Sequence, residues 1–416
     1  MNTRIHRPDT TCELHASGSK GRRSRGVELI EVGPGRGTLM DDMLRTMQNF
    51  KNMAKSIETI YMVEASAELR TTQKKLLCGE DAQLEETDIG HRGVCKYNSV
   101  PIVWTETIKS VPINPDHTPF IVAHEFFDAL PIHAFQCVDI PASPSGSKVQ
   151  PSDTAPSAPC SKPAPAPQGG LQWRELLVSP TPPDATHETL ETPTTQSRTT
   201  PPPDFQLTLA AGATRHALYL PESSARYRAI KARTGAGALV EICPDAALHA
   251  SDFAARIGAA AAGAALVLDY GPGDGTVPTN SLRGIRRHAR VSPFAEPGLT
   301  DLSADVDFAA VAEAAMEASE GVEVHGPVEQ GVFLQVMGIR ERAEILVEKA
   351  VRTGEAAGDG AGKEAAERLA VDVEKAWKRL VDRGPNGMGR VYKALAILPE
   401  NGGRRRPVGF GGGVVA

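Results

Sequence analysis

Residues 29–44, LIEVGPGRGTLMDDML, set an acid and three glycines between an apolar strand and an amphipathic helix. Gly33, Gly35 and Gly37 would let backbone N–H groups and the helix N-terminus approach a ligand closely. That geometry suits a nucleotide-like cofactor. The spacing is GxGxG, with Thr38 where the dinucleotide-binding pattern has its third glycine. Glu31, two residues before the first glycine, is placed to face the same ligand. Its carboxylate would repel a pyrophosphate but suits a cationic or hydroxyl-bearing cofactor such as S-adenosyl-L-methionine. The apolar run 60–63 ends in Glu64, and the acid closing the second strand of a βαβ unit hydrogen-bonds ribose hydroxyls. Glu64 serves nicotinamide and methyl-donor folds alike; Glu31 separates them.

A second cluster lies in FIVAHEFFDALPIHAF, residues 120–135. The apolar run 120–123 reads as a strand buried on both faces of a parallel sheet. Ligands of open α/β sheets lie beyond the carboxyl ends of the strands, where His124, Glu125 and Asp128 follow. Glu125 and Asp128, interleaved with Phe126 and Phe127, are the stronger candidates; His124 alone reads equally as a partly buried histidine. A later strand, AALVLDY, closes in Asp269, and DYGPGDGT nearly repeats EVGPGRGT. No helical sequence follows this second glycine loop, so it reads as an exposed turn that can supply Asp269 to the site. Arg283 and His288 read equally as substrate ligands and as solvated loop charges.

The elements that must position these groups alternate between strand and helix along the chain. Helical spacing covers 39–53, 66–77, 223–234, 248–262 and 308–316, the last started by Ser303 and Asp305. Strands are expected at 60–63, 100–105, 120–123, 238–243, 264–270, 330–339 and 388–398. A long helical region, 341–383, carries a glycine-rich break. LQWRELLV (171–178) and QLTLA (206–210) read as a β-hairpin extension. Its connections hold eight prolines within 141–170 and seven within 179–204, of 32 in the chain, and cannot be packed core.

The net charge of −6 gives no basic surplus for nucleic acid. No apolar run reaches the length of a membrane span. Six cysteines without CxxC pairing indicate neither a disulfide framework nor a zinc site. Residues 1–26 carry six Lys/Arg against two acids but little apolar face, a poor presequence and an equally good disordered tail.

The blocks VELIEVGPGRGTLMDDMLR, HEFFDALPIHAFQ, WRELLV, EICP, LVLDYG, LRGIRRH, DLSADVDF and MGRVYKALAIL occur in this order. Together they resemble the MidA-like family of S-adenosylmethionine-dependent methyltransferases, over roughly residues 27–140, 170–178 and 205–398. Mitochondrial members of that family are arginine methyltransferases acting on a subunit of respiratory complex I during assembly. The resemblance implies an α/β fold: a Rossmann-like seven-stranded methyltransferase core, here with the β-hairpin extension and disordered Pro-rich inserts. The expected division is a basic disordered N-terminus (1–26), a first part of the domain (27–140), the inserts (141–204), a second part (205–399) and a disordered tail (400–416).

It further implies that Gly33, Gly35 and Gly37 hold the cofactor, with Glu31 beside its methionine part, Glu64 on its ribose and His124 in the same shell. Glu125, Asp128 and Asp269 would hold an acceptor guanidinium, and no metal is expected. Partners would be a complex I subunit and, as an allowance, a second copy of the chain; the location would be mitochondrial. Two departures stand out: His124 replaces the family's usual Asn, and a segment with a proline-serine-glutamate motif that precedes the glycine strand is not matched. The latter leaves two expectations, a truncated gene model or a partly lost site. Non-enzymatic assembly factor and nicotinamide-dependent oxidoreductase are the competing readings.

Overall fold

A computed structural model of the chain describes residues 25–141, 170–190, 201–287, 289–357, 360–385, 387–404 and 406–411. The first half runs β1 (Val27–Val32), α1 (Thr38–Met47), α2 (Lys51–Ser56), β2 (Ile57–Val63) and α3 (Ala67–Cys78). Then come β3 (Glu85–Thr87), β4 (Gly90–Val94), β5 (Pro101–Thr105), β6 (Thr118–His124), β7 (His133–Ile140), β8 (Gly170–Pro180) and β9 (Phe205–Leu209). The second half opens with α4 (Arg215–Ser223), α5 (Ala225–Thr234), β10 (Leu239–Ile242), α6 (Pro244–Ala260) and β11 (Ala264–Tyr270). Three short strands follow, β12 (Arg283–Arg286), β13 (Ala289–Val291) and β14 (Asp301–Ser303), then α7 (Phe308–Ala318) and β15 (Val322–Glu329). Helices α8 (Gln330–Val336), α9 (Ile339–Ala357) and α10 (Gly360–Val381) lead to β16 (Tyr392–Pro399).

The main sheet has the order β15-β16-β11-β6-β1-β2-β5-β4-β3. Its middle, from β11 to β5, is parallel, and β16 enters antiparallel between β11 and β15. Seven strands from β15 to β5 form the expected Rossmann-like core, and the hairpin β3–β4 extends one edge. Strand β1 is buried along nearly its whole length because both faces are covered. Its side chains alternate between two cores. Leu29 joins Met40, Leu44 and Leu77 under α1 and α3, whereas Ile30 and Val32 join Phe253, Ile257, Phe308 and Val311 under α6 and α7.

The expected hairpin is β8–β9, with Leu176 opposite Leu209, and it belongs to a four-stranded antiparallel sheet of order β10-β7-β8-β9. Phe135, Trp173, Tyr227 and Val240 form its core. The strand ends are paired across both long connections: Ile140 faces Gly170, and Pro180 faces Phe205. Much of the Pro-rich sequence, 142–169 and 191–200, lies outside the described residues, as do 1–24 and 412–416.

Three expectations are corrected. Residues 330–339 are not a strand but α8 and the start of α9, because β15 already occupies the sheet edge and pairs with β16. Phe333 then turns inward against Phe410, Ala394 and Ala396. The tail is not disordered throughout: Phe410 is buried, its ring 5.4 Å from that of Phe333. Ser303 and Asp305 do not start α7; Asp307 caps it, accepting a hydrogen bond from the Ala310 N–H at 3.1 Å.

Candidate functional site

The strand-to-helix turn after β1 is built on three left-handed glycines, with φ of 67°, 53° and 82° at Gly33, Gly35 and Gly37. The Gly33 N–H donates to the Val63 carbonyl at 3.0 Å, holding the turn against the end of β2. Gly37 is the N-cap of α1, so the helix N-terminus opens onto this turn. A Cβ at Gly35 would meet nothing within 4 Å, whereas one at Gly33 would strike the Phe126 ring at 2.4 Å.

Glu31 sits beneath the loop, 3% exposed, and its Oε2 has no hydrogen-bond partner. Burial pushes its carboxyl up to about 8, opposed by a hydrogen bond from the Met40 backbone in the first turn of α1. A buried acid oxygen left unpaired is costly unless a ligand completes it. The donor set therefore fits a cofactor carrying a cation and N–H or O–H groups.

Glu64, just beyond β2, accepts from the Ser66 N–H at 2.9 Å and from Gln73 Nε2 at 3.4 Å. Gln73, fully buried on α3, also donates to the Gly35 carbonyl at 2.6 Å and accepts from Trp104 Nε1 at 3.0 Å. One amide thus ties the glycine turn, the second-strand acid and β5 together. Nothing in the spacing of 66–77 marked Gln73 beyond a polar residue on a packed helix face.

The second half of the site hangs on the ends of β6, which neighbours β1, and β11, which neighbours β6, all in parallel register. Glu125 follows β6 with a left-handed φ of 50°. Its Oε1 accepts from the Tyr392 hydroxyl at 2.8 Å, and that hydroxyl also contacts the Tyr270 hydroxyl. The His124 ring lies 4.0 Å from the same carboxylate, both side chains being about two-fifths exposed.

Asp269 is at 0% exposure, and its Oδ2 accepts from the N–H groups of Phe126, Phe127 and Asp128 at 3.1, 2.9 and 3.3 Å. Its Oδ1 accepts from the Tyr270 N–H at 2.9 Å. The structure thus spends both Asp269 oxygens on backbone, away from any place a substrate could reach; the expectation that it holds the acceptor is corrected on this point. Burial, reinforced by the charge of Asp128, raises its carboxyl well above the usual range. Asp128 is raised too, chiefly by burial, with the Ser303 hydroxyl at 2.8 Å opposing.

Of the two loop cations, Arg283 pairs with Asp305, and its guanidinium lies 5.1 Å from the Tyr270 ring centre with Nη2 buried and unpaired. His288 lies outside the described residues. Tyr270, Tyr392 and Ser303 were not singled out as site residues from sequence, although Tyr270 stands next to the expected Asp269. Glu31, Glu125, Asp128 and Asp269 are brought together at three adjacent strand ends. The ensemble can hold a cationic cofactor on the glycine side and a planar cation on the acid and phenol side.

A family of S-adenosyl-L-methionine-dependent methyltransferases matches residues 13–328. Protein arginine methyltransferase NDUFAF7, mitochondrial, of Rattus norvegicus is 31% identical over 395 residues, covering 94% of this chain and 70% of the relative. Its Homo sapiens counterpart is 30% identical over 79% of this chain and 59% of its own length. The chain thus spans between about three-fifths and seven-tenths of these relatives. A Burkholderia thailandensis protein solved with S-adenosyl-homocysteine shares the fold, with a TM-score of 0.57 at 18% identity over 93% of this chain and 73% of that one. With most of its length matched, the chain belongs to the S-adenosyl-L-methionine-dependent methyltransferase family.

Proposed function

We propose that this protein is a mitochondrial protein arginine methyltransferase whose acceptor is a subunit of respiratory complex I. The observation that carries the reading is the pairing of an orphaned, buried Glu31 oxygen under the glycine turn with an open carboxylate, Glu125, at the end of the neighbouring strand. The names of the rat and human relatives supply the arginine acceptor and the location.

S-adenosyl-L-methionine would supply an electrophilic methyl group on a sulfonium. Glu31 would take a cationic group of its methionine part, the loop N–H groups at Gly33–Gly37 its polar edge, and Glu64 its ribose hydroxyls. On the acceptor side, Glu125 would hydrogen-bond the guanidinium fork and turn one nitrogen toward the methyl group, and its carboxylate would accept the proton that nitrogen gives up as the N–C bond forms and the S–C bond breaks. Tyr392 fixes the Glu125 rotamer, and Asp269 fixes the backbone on which Glu125 and Asp128 stand. Most of the rate would come from this positioning. Among the described residues no helix is long and apolar enough to cross a membrane.

Calorimetric titration of the 416-residue chain with S-adenosyl-L-methionine, with NAD as control, tests the cofactor half. Micromolar binding of the methyl donor alone is expected. Absence of binding by folded protein would return the non-enzymatic assembly factor as the better reading. Gly33→Ala forces both a left-handed alanine and a clash with Phe126, and should weaken that binding at least about tenfold. Wild-type affinity in this variant would remove the turn from the cofactor site.

Glu31 makes a pH prediction. Its stabilising effect on the free fold, through a folded-state value near 8, is fully present below about 4.5 and lost as pH rises to about 8. A cationic ligand needs the ionised form, so affinity should rise across the same interval, with net proton release in buffers of different ionisation enthalpy. Glu31→Gln should flatten the profile. A pH-independent wild-type affinity would mean that Glu31 does not face the ligand.

A further inference from the structure

Away from this site, His133, Glu175 and His216 meet where β7, β8 and the first turn of α4 converge. His133 Nδ1 lies 2.7 Å and His216 Nδ1 3.6 Å from Glu175 Oε1, and the three potential ligand atoms all lie within 4.8 Å of one another. The two imidazole rings are 4.2 Å apart. We propose that this trio is a divalent metal site for an ion of the zinc class.

Two imidazoles and one carboxylate are a donor set that zinc accepts with three protein ligands and a fourth position left to water. Magnesium and calcium prefer all-oxygen sets and are disfavoured. Tetrahedral bonds of about 2.0–2.1 Å put neighbouring ligand atoms roughly 3.3 Å apart, so the two observed separations bracket the required one. A small opening of the His133–Glu175 pair would admit the ion. The carboxylate is also oriented as a ligand would be. Glu175 is 6% exposed, and its second oxygen takes the Thr214 hydroxyl, whose oxygen caps α4 at the Ala217 N–H, 3.1 Å away. Such outer bonds set the direction of a metal ligand. His216 is more than half exposed, which leaves an entry path.

The ligands stand 42 and 41 residues apart in sequence, so no short motif announced them, and a search keyed to cysteine spacing passes over them. Bound metal would clamp α4 to the four-stranded sheet. That sheet reaches the methyl-transfer site through β10: Ile242 is paired with His133, and Glu241 holds Ser281, whose hydroxyl receives the Asp305 N–H at 2.8 Å. Asp305 in turn pairs with Arg283. The ion would therefore brace the loop beside Tyr270 without touching a reacting atom.

The test is calorimetric titration of the chelator-treated full chain with zinc chloride, with melting temperature as a second readout. One equivalent should bind, the melting temperature should rise, and His216→Ala should weaken binding at least about tenfold and remove the rise. His216 is exposed, so its removal leaves the core packing unchanged, and His133→Asn gives an independent second removal. Cobalt(II) loading separates the trio from the cysteines: visible ligand-field bands without thiolate charge-transfer absorption support it, and thiolate bands overturn it. Undiminished zinc affinity in both variants, or no binding at millimolar zinc, also overturns it.

Discussion

Glu125→Gln is expected to lower turnover about 100- to 1,000-fold while leaving S-adenosyl-L-methionine affinity within about twofold. Glutamine keeps the volume and one acceptor for the Tyr392 hydroxyl, but removes the charge that a guanidinium requires. The backbone here is informative in itself. A non-glycine residue at φ 50° costs about 1–2 kcal/mol, and the turn tolerates it because Asp269 holds the next three N–H groups. Glu125→Gly should therefore fold at least as well as the parent while remaining inactive. Steady-state kinetics with an arginine-containing acceptor, alongside cofactor titration, reads both variants. Loss of cofactor affinity in Glu125→Gln would move this residue from the acceptor side to the cofactor shell.

Asp269→Ala is expected to cost about 3–5 kcal/mol, seen as a fall in melting temperature of roughly 5 °C. The change strands four backbone donors around a fully buried carboxylate, three of them in the turn that carries Asp128. Asp269→Asn keeps the shape and an acceptor oxygen, so it should recover at least half of the loss. Activity should fall in both variants through a loosened 125–128 turn, with turnover more affected than cofactor affinity. An alanine variant as stable as the parent would show that the carboxylate does not organise this turn.

The parts of the molecule legible in the sequence were those where one local rule acts alone. Alternate glycines after an apolar run, followed by Leu39, Met43, Leu44 and Met47 at helical spacing, specify the β1–α1 turn with no help from the rest of the chain, although it is Met40 with Leu44 and Met47 that the structure buries. The acids after β2, β6 and β11 were legible because strand ends mark the ligand side of a parallel sheet. What each acid does there was not legible. Glu125 and Asp269 follow or close similar apolar strands, yet one is half exposed and the other has no exposed surface at all. That difference comes from which backbone folds over which side chain, a contact between residues more than 140 apart in sequence. Residues 330–339 misled for a related reason. VFLQVMGI has strand-like composition, but the edge position was taken by VEVHGPVE, whose Gly326 and Pro327 hid it as a strand. Proline and glycine are tolerated there because β15 is an edge strand with an irregular register between His325 and Val328.

The pairing of Ile140 with Gly170 and of Pro180 with Phe205 has a bearing on how this enzyme can change over time. In each case the chain departs from and rejoins the small sheet at residues that already face one another across the ladder, so the closure is set by the strands and depends only weakly on the length between them. Copying errors that lengthen or shorten these two stretches should pass through selection almost unnoticed, and lineages should differ freely here while the strands stay fixed. The same property makes them natural places to graft a fluorescent reporter or an affinity tag. Because they are tied to the small sheet, the cargo would ride on it while the glycine turn and the Glu125 turn keep their shape.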